Sequence, residues 1–180
     1  LTKALGTGLI ATALKSRRAS EDSLAASTTS MLQLNRDAVE ALLEADHEGF
    51  DAGAGFAPPG GAASPAATKA SRPCIHAVKD ITGFGLLGHA REMAAASGVS
   101  LEFDHARVQA LPGALEAARE GFLAGGLKNN REWLEGCVEF GESVPEEVRC
   151  LLFDPQTSGG LLVAIAASHA NTALDALASR

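Results

Sequence analysis

The sequence predicts an α+β domain, a mixed β-sheet flanked by helices, on three observations. Segments with apolar residues at helical spacing, such as Leu9-Ile10-Ala11-Thr12-Ala13-Leu14, occur along the chain together with short apolar or period-two runs of strand length, such as Leu161-Leu162-Val163-Ala164-Ile165. The two kinds are mixed in order without regular β-α repeats, which favours α+β layers. The 180 residues, 46% apolar and 21% charged, suffice for one sizeable core and lie far from the composition of a disordered chain. Residues 1–180 are therefore expected to form a single domain.

Leu1 to Lys3 suits the stump of a strand, Gly6-Thr7-Gly8 a turn, and Leu9 to Lys15 a short helix with a basic end. Ser30 is expected to cap the next helix, in which Met31, Leu34, Ala38 and Leu42 share a face that Val39 and Leu43 widen. From about 47 to 72 the periodicity is lost and Gly, Pro and Ala dominate, which predicts a flexible insertion. Cys74 to Val78 is a short, mostly apolar strand-length stretch. Asp80 to Gly88 then leads into a helix with Leu86, Ala90, Met93 and Ala94 on one side, ended by Ser97-Gly98. Val99, Leu101 and Phe103 alternate with polar residues, the signature of a strand with one wet face. Pro112 is expected to open a helix through Leu115 and Ala118. Leu151-Leu152-Phe153 and Leu161 to Ile165 suit buried strands, and Ser168 caps a final helix carrying Ala173, Leu174 and Leu177.

A net charge of −7 argues against a nucleic-acid partner, whose phosphates demand Lys and Arg. Three cysteines without a C-x-x-C pair fit neither a disulfide framework nor a zinc knuckle, and the five histidines lack metal-ligand spacing. No window holds the about 18 apolar residues of a membrane span, so no membrane partner is expected. Without a signal sequence or an initiator Met, the chain is expected to be a fragment of a cytoplasmic protein.

Two stretches carry chemistry. Gly83-Phe84-Gly85-Leu86-Leu87-Gly88 satisfies G-x-G-x-x-G between a strand and a helix, with Asp104 about 20 residues on, as a dinucleotide-binding module requires. Asp80 just before the turn would bring negative charge against a pyrophosphate unless a cation lay between them. A second reading follows from this. Asp80 is a Mg²⁺ ligand, and Thr82, Gly83 and Gly85 form a phosphate-facing turn at the helix start. Further ligands must then come from elsewhere, since one carboxylate does not make a Mg²⁺ site. In a third reading Asp80 and Thr82 cap the helix, the glycines permit close packing, and the chain is a non-catalytic scaffold domain. The second stretch is the turn Gln156, Thr157, Ser158, Gly159 after Asp154. It lacks the upstream glycine and the nearby histidine of a nucleophile elbow, and its simplest reading is a turn whose side chains satisfy backbone groups.

Taken together, Leu-Thr-Lys-x-Leu-Gly-Thr-Gly at 1–8, Leu34-Asn35, Asp-Ile-Thr-Gly-Phe-Gly-Leu-Leu-Gly-His at 80–89, Leu111-Pro112-Gly113 and Leu-Phe-Asp-Pro-Gln-Thr-Ser-Gly-Gly-Leu-Leu at 152–162 resemble the C-terminal half of the selenide, water dikinase (selenophosphate synthetase) family. The blocks span nearly the whole chain apart from the insertion. The resemblance implies a C-terminal domain like that of aminoimidazole ribonucleotide synthetase. It also implies an ATP-dependent enzyme making selenophosphate, AMP and phosphate from ATP, selenide and water. An N-terminal domain, absent from this sequence, would bind most of the ATP, dimerise, and carry the catalytic Cys or selenocysteine. This stretch would carry no catalytic residue and would contribute Asp80 to Mg²⁺. The closing strand expected after Arg180 is also absent, and Cys74, Cys137 and Cys150 match no catalytic cysteine of the family. Ala4 stands where the family usually has Pro, and Lys79-Asp80-Ile81 where it has Thr-Asp-Val. Lys79 is expected to point across the strand, away from Asp80.

Overall fold

The protein is described by a computed structural model covering residues 1–48 and 74–179. In chain order it forms α1 (Thr7–Lys15), α2 (Glu21–Leu32), α3 (Arg36–Glu48), β1 (Ile75–Asp80), α4 (Gly85–Ser97), α5 (Ala114–Arg119), α6 (Gly125–Trp133), α7 (Glu146–Phe153), β2 (Leu161–Ile165) and α8 (Ala170–Ala178). The class is α+β. These elements divide into two compact units, one of Leu1–Asn35 with Val78–Leu162, the other of Arg36–Ala77 with Val163–Arg180.

β1 and β2 pair antiparallel. Ile81 N–H donates to Gly160 O at 2.8 Å at one end, and Ala166 N–H to Cys74 O at 2.8 Å at the other. Outside this two-stranded sheet an isolated parallel bridge joins Leu5 to Ala110. In the first unit Leu5, Leu9, Ile10, Ile81, Leu86, Leu127, Leu134 and Leu151 are each almost fully buried and form the centre of its core. In the second, Ala41, Leu42, Ala45, Cys74 and Ala173 are buried, and α3 packs on α8.

Several elements differ from the sequence reading. Ser30 caps nothing and lies inside α2. Ser20 is the cap, its Oγ accepting from Ser23 N–H at 3.1 Å. The run from Met31 to Leu42 is broken at Gln33–Asn35, and Leu32 and Leu34 stay exposed, so the helical spacing joined two separate helices. α3 continues through Glu48; the insertion expected at about 47–72 lies, from residue 49 on, outside the described residues.

Val99 to Phe103 is not a strand. Alternation marks one wet and one dry face, but a strand also needs a ladder partner, and this segment has none among the described residues. Leu151-Leu152-Phe153 closes α7 instead of forming a strand: a short, fully buried apolar run carries no period. Pro112 precedes the helix, which starts after Gly113. Ser168 sits in a 3₁₀ turn, Ala167–His169, with its hydroxyl on the His169 ring, and α8 begins beyond it. Helix α4 ends as expected, on Gly98 in the left-handed conformation.

Candidate functional site

Both candidate stretches belong to the first unit, and the fold brings them together. Gln156 N–H donates to Thr82 O at 3.0 Å, beside the Ile81–Gly160 bond, so the turn after α7 lies against the turn after β1. The block at residues 1–8 completes the arrangement through the start of α1. An α-helix leaves its first four N–H groups without internal partners. At the start of α1 the Gly6 and Thr7 N–H groups donate to Gln156 Oε1 at 3.0 and 3.3 Å. The next two, Gly8 and Leu9, donate to Asp154 Oδ2 at 3.0 and 3.2 Å. Two side chains about 150 positions away thus satisfy the whole helix start.

Asp154 is fully buried, and its Oδ1 has no hydrogen-bond partner. Burial pushes its carboxyl up to about 7, against the opposing pull of the Leu9, Gln156 and Gly8 donors on Oδ2. Gln156 is likewise buried. Thr157 and Ser158 are exposed, with the Thr157 N–H donating to Thr7 Oγ1 at 2.9 Å and Ser158 in the left-handed region at φ 53°. Gly159 is buried, and its carbonyl accepts from Asn35 Nδ2 at 2.9 Å. Lys3 Nζ donates to the carbonyls of Ser158 at 2.8 Å, Ser30 at 3.1 Å and Gln33 at 2.5 Å, and partial burial lowers its pKa. Lys3 and Asn35 pin this turn from outside. Their presence in the quoted blocks is the only sequence signal for this role, because nothing local marks a lysine that serves distant carbonyls.

At the first turn, Ile81 is fully buried while Asp80 and Gly83 are exposed and Thr82 is partly so. Lys79 does not point away: its Nζ donates to Asp80 Oδ1 at 2.8 Å. Side chains alternate along β1 as expected, but the flexible four-carbon stem lets the ammonium reach back. That hydrogen bond holds the Asp80 carboxyl below its ordinary value, against a smaller effect of desolvation. Gly83 faces open space. Gly85, at φ +67°, is buried against the Phe153 carbonyl, and its N–H donates to Thr82 O at 3.0 Å, so the turn uses that amide internally. Asn130 Nδ2 secures the same turn by donating to Gly83 O at 2.9 Å and Phe153 O at 3.0 Å.

His89, one turn into α4, is buried. Its Nε2 lies 3.1 Å from Thr82 Oγ1 and its Nδ1 3.0 Å from Glu92 Oε2. The Phe84 ring packs on His89 and stacks on Trp133, both at 5.5 Å between centroids.

Among the described residues no three His, Cys, Asp or Glu side chains converge as a metal-holding group. Asp80 by itself offers one hard-oxygen donor of the kind Mg²⁺ takes, exposed at a strand end. The dinucleotide reading with Gly83, Gly85 and Gly88 needs a strand directly after α4, and residues 99–104 form none. Asp104, its ribose carboxylate, instead accepts from Ala106 N–H at a 3₁₀ turn.

The family model for AIR synthase related protein, C-terminal domain, matches residues 62–180. The chain belongs to that family. The selenide, water dikinase of Pelobacter propionicus is 40% identical over 177 residues, 98% of this chain and 43% of that protein. That of Caldanaerobacter subterraneus is 37% identical over 172 residues, 94% of this chain and 41% of that protein. Selenide, water dikinase 2 of Peptoclostridium acidaminophilum is 35% identical over 182 residues, 99% of this chain and 43% of that protein. The chain therefore spans less than half the length of these relatives. Among the described residues no helix is long and apolar enough to cross a membrane.

Proposed function

We propose that this chain is the C-terminal domain of a selenide, water dikinase, which converts ATP, selenide and water to selenophosphate, AMP and phosphate. The observation that carries the reading is that blocks at residues 1–8, 80–89 and 152–162 meet through Gln156, which bonds both Thr82 O and the start of α1. Similarity to the named relatives over nearly the whole chain supports it. An N-terminal domain of the same protein supplies most of the ATP site and the homodimer contact, and Asp80 supplies one oxygen to Mg²⁺. When bound, the ion neutralises polyphosphate charge. The contribution of this chain is to hold the Asp80 carboxylate at a fixed strand end, with the Gly83 side of the turn open.

In the intact protein, AMP formation from ATP is expected to require selenide. Asp80→Asn is expected to lower it by about 100-fold, on the scale of a lost contribution to metal-assisted charge stabilisation, while leaving the thermal melt unchanged because Asp80 is exposed. Normal turnover in that variant would remove the metal role. AMP release indifferent to selenide would remove the reaction.

Lys79→Thr tests the same carboxylate from the other side. The Lys79–Asp80 pair is exposed and worth at most about 1 kcal/mol, so freeing Asp80 is expected to tighten Mn²⁺ binding to the intact protein by up to about fivefold. An unchanged or weaker affinity would mean that Lys79 does not compete with the cation.

A further inference from the structure

The sequence reading gives Thr82 to a phosphate-facing turn, which would make its hydroxyl a donor. The geometry around it points the other way. A carboxylate can only accept, so Glu92 Oε2, 3.0 Å from His89 Nδ1, requires the ring proton to sit on Nδ1. With that single ring proton on Nδ1, Nε2 presents a lone pair 3.1 Å from Thr82 Oγ1, and the threonine donates its only proton to it. What remains on the oxygen is a pair of lone pairs, on a partly exposed residue two positions from Asp80. The ring is not free to turn: His89 is 3% exposed and packed by Phe84.

We infer that Glu92 and His89 are positioning residues that fix the Thr82 hydroxyl with its oxygen facing outward, so that Thr82 joins Asp80 as a second oxygen donor toward a divalent cation, directly or through a bound water. Thr82 thus serves the cation and not the phosphate. This rests on the proposed role of Asp80. The chemistry is consistent: Mg²⁺ and Mn²⁺ take oxygen ligands and retain waters that themselves need acceptors. An imidazole oriented by a carboxylate is the usual device for fixing the direction of a neighbouring group.

The test uses the intact protein, with Mn²⁺ as the probe and its affinity read by electron paramagnetic resonance. Thr82→Val and Glu92→Gln are each expected to weaken Mn²⁺ by roughly tenfold, the scale of outer-shell effects on metal sites, whereas Thr82→Ser, which keeps the hydroxyl, binds as the parent does. Glu92→Gln is informative because a glutamine amide can accept from or donate to Nδ1, so the ring proton is no longer held there and the Thr82 proton is free to turn outward. Glu92 is half-exposed, so a purely structural role would leave the affinity unmoved. Nitrogen-15 spectra of the metal-free protein give a second readout, with the His89 proton expected on Nδ1. A proton on Nε2, or parental Mn²⁺ affinity in Thr82→Val while Asp80→Asn binds weakly, overturns the inference and leaves the Asp80 role intact. Parental affinity in Asp80→Asn overturns that role and this inference with it.

Discussion

Asp154→Ala is expected to destabilise the protein by about 3 kcal/mol, because it strands the Gly8 and Leu9 N–H groups at the start of a buried helix, and each unsatisfied buried donor costs about 1–3 kcal/mol. The loss is smaller than the sum of those penalties because the same change removes the cost of burying a carboxyl. Asp154→Asn separates the two effects: it keeps an oxygen acceptor for α1 and abolishes the titration. The folded-state pKa of Asp154 is raised to about 7, whereas the unfolded carboxyl titrates near about 3.9. Between those values the folded state holds the proton more often, so this group's contribution to stability is full below about pH 4 and is lost as pH rises toward about 7. The difference corresponds to about 4 kcal/mol at most. Melting curves between pH 5 and 8 are therefore expected to show the parent losing stability relative to Asp154→Asn as pH rises. Parallel curves would show that the carboxyl titrates in its ordinary range.

Gly159→Ala is expected to disrupt the junction of the two turns. A Cβ at Gly159 would run into the Ile81 carbonyl oxygen and touch Gln156 Cβ at 3.0 Å. Neither neighbour can yield freely. The two turns are tied by Ile81 N–H to Gly160 O and by Gln156 N–H to Thr82 O. Relief requires breaking one of those bonds or moving the end of β1, at about 3 kcal/mol, the upper range for overpacking. The same movement carries Asp80 and Thr82 with it, so Mn²⁺ affinity of the intact protein is expected to fall together with the melting temperature. Gly83→Ala is the control: its added Cβ meets nothing within 4 Å, so stability is expected to stay within about 0.5 kcal/mol. Equal effects at the two glycines would mean that the Gly159 contact relaxes without cost.

The helices with a clear period and a clear stop, α1 and α4, are legible in the sequence because 3.6-residue spacing and a terminal glycine or basic residue are local signals. Sequence reasoning fails where a decision depends on a partner elsewhere in the chain. Leu151 to Phe153 is buried whichever structure it adopts, so its composition does not distinguish a strand from the last turn of α7. Val99 to Phe103 has the alternation of a strand and no ladder to join among the described residues. The direction of Lys79 escapes the sequence because Cβ alternation fixes where a side chain leaves the backbone and not where a long stem ends.

The order of amino acids alone is enough for the class, for the blocks proposed as the candidate site, and for the chemistry available in each: a carboxylate at Asp80, a glycine turn after it, and an amide and hydroxyls at Gln156 to Ser158. It is also enough for their family resemblance. What those groups do is set by the fold in three dimensions. Asp154 and Gln156 sit on the four open N–H groups of α1, Lys3 and Asn35 on the carbonyls of the second turn, and His89 between Thr82 and Glu92. A buried polar group must find a partner at about 3 Å, and for most of these groups that partner lies many residues away, where no local pattern records it.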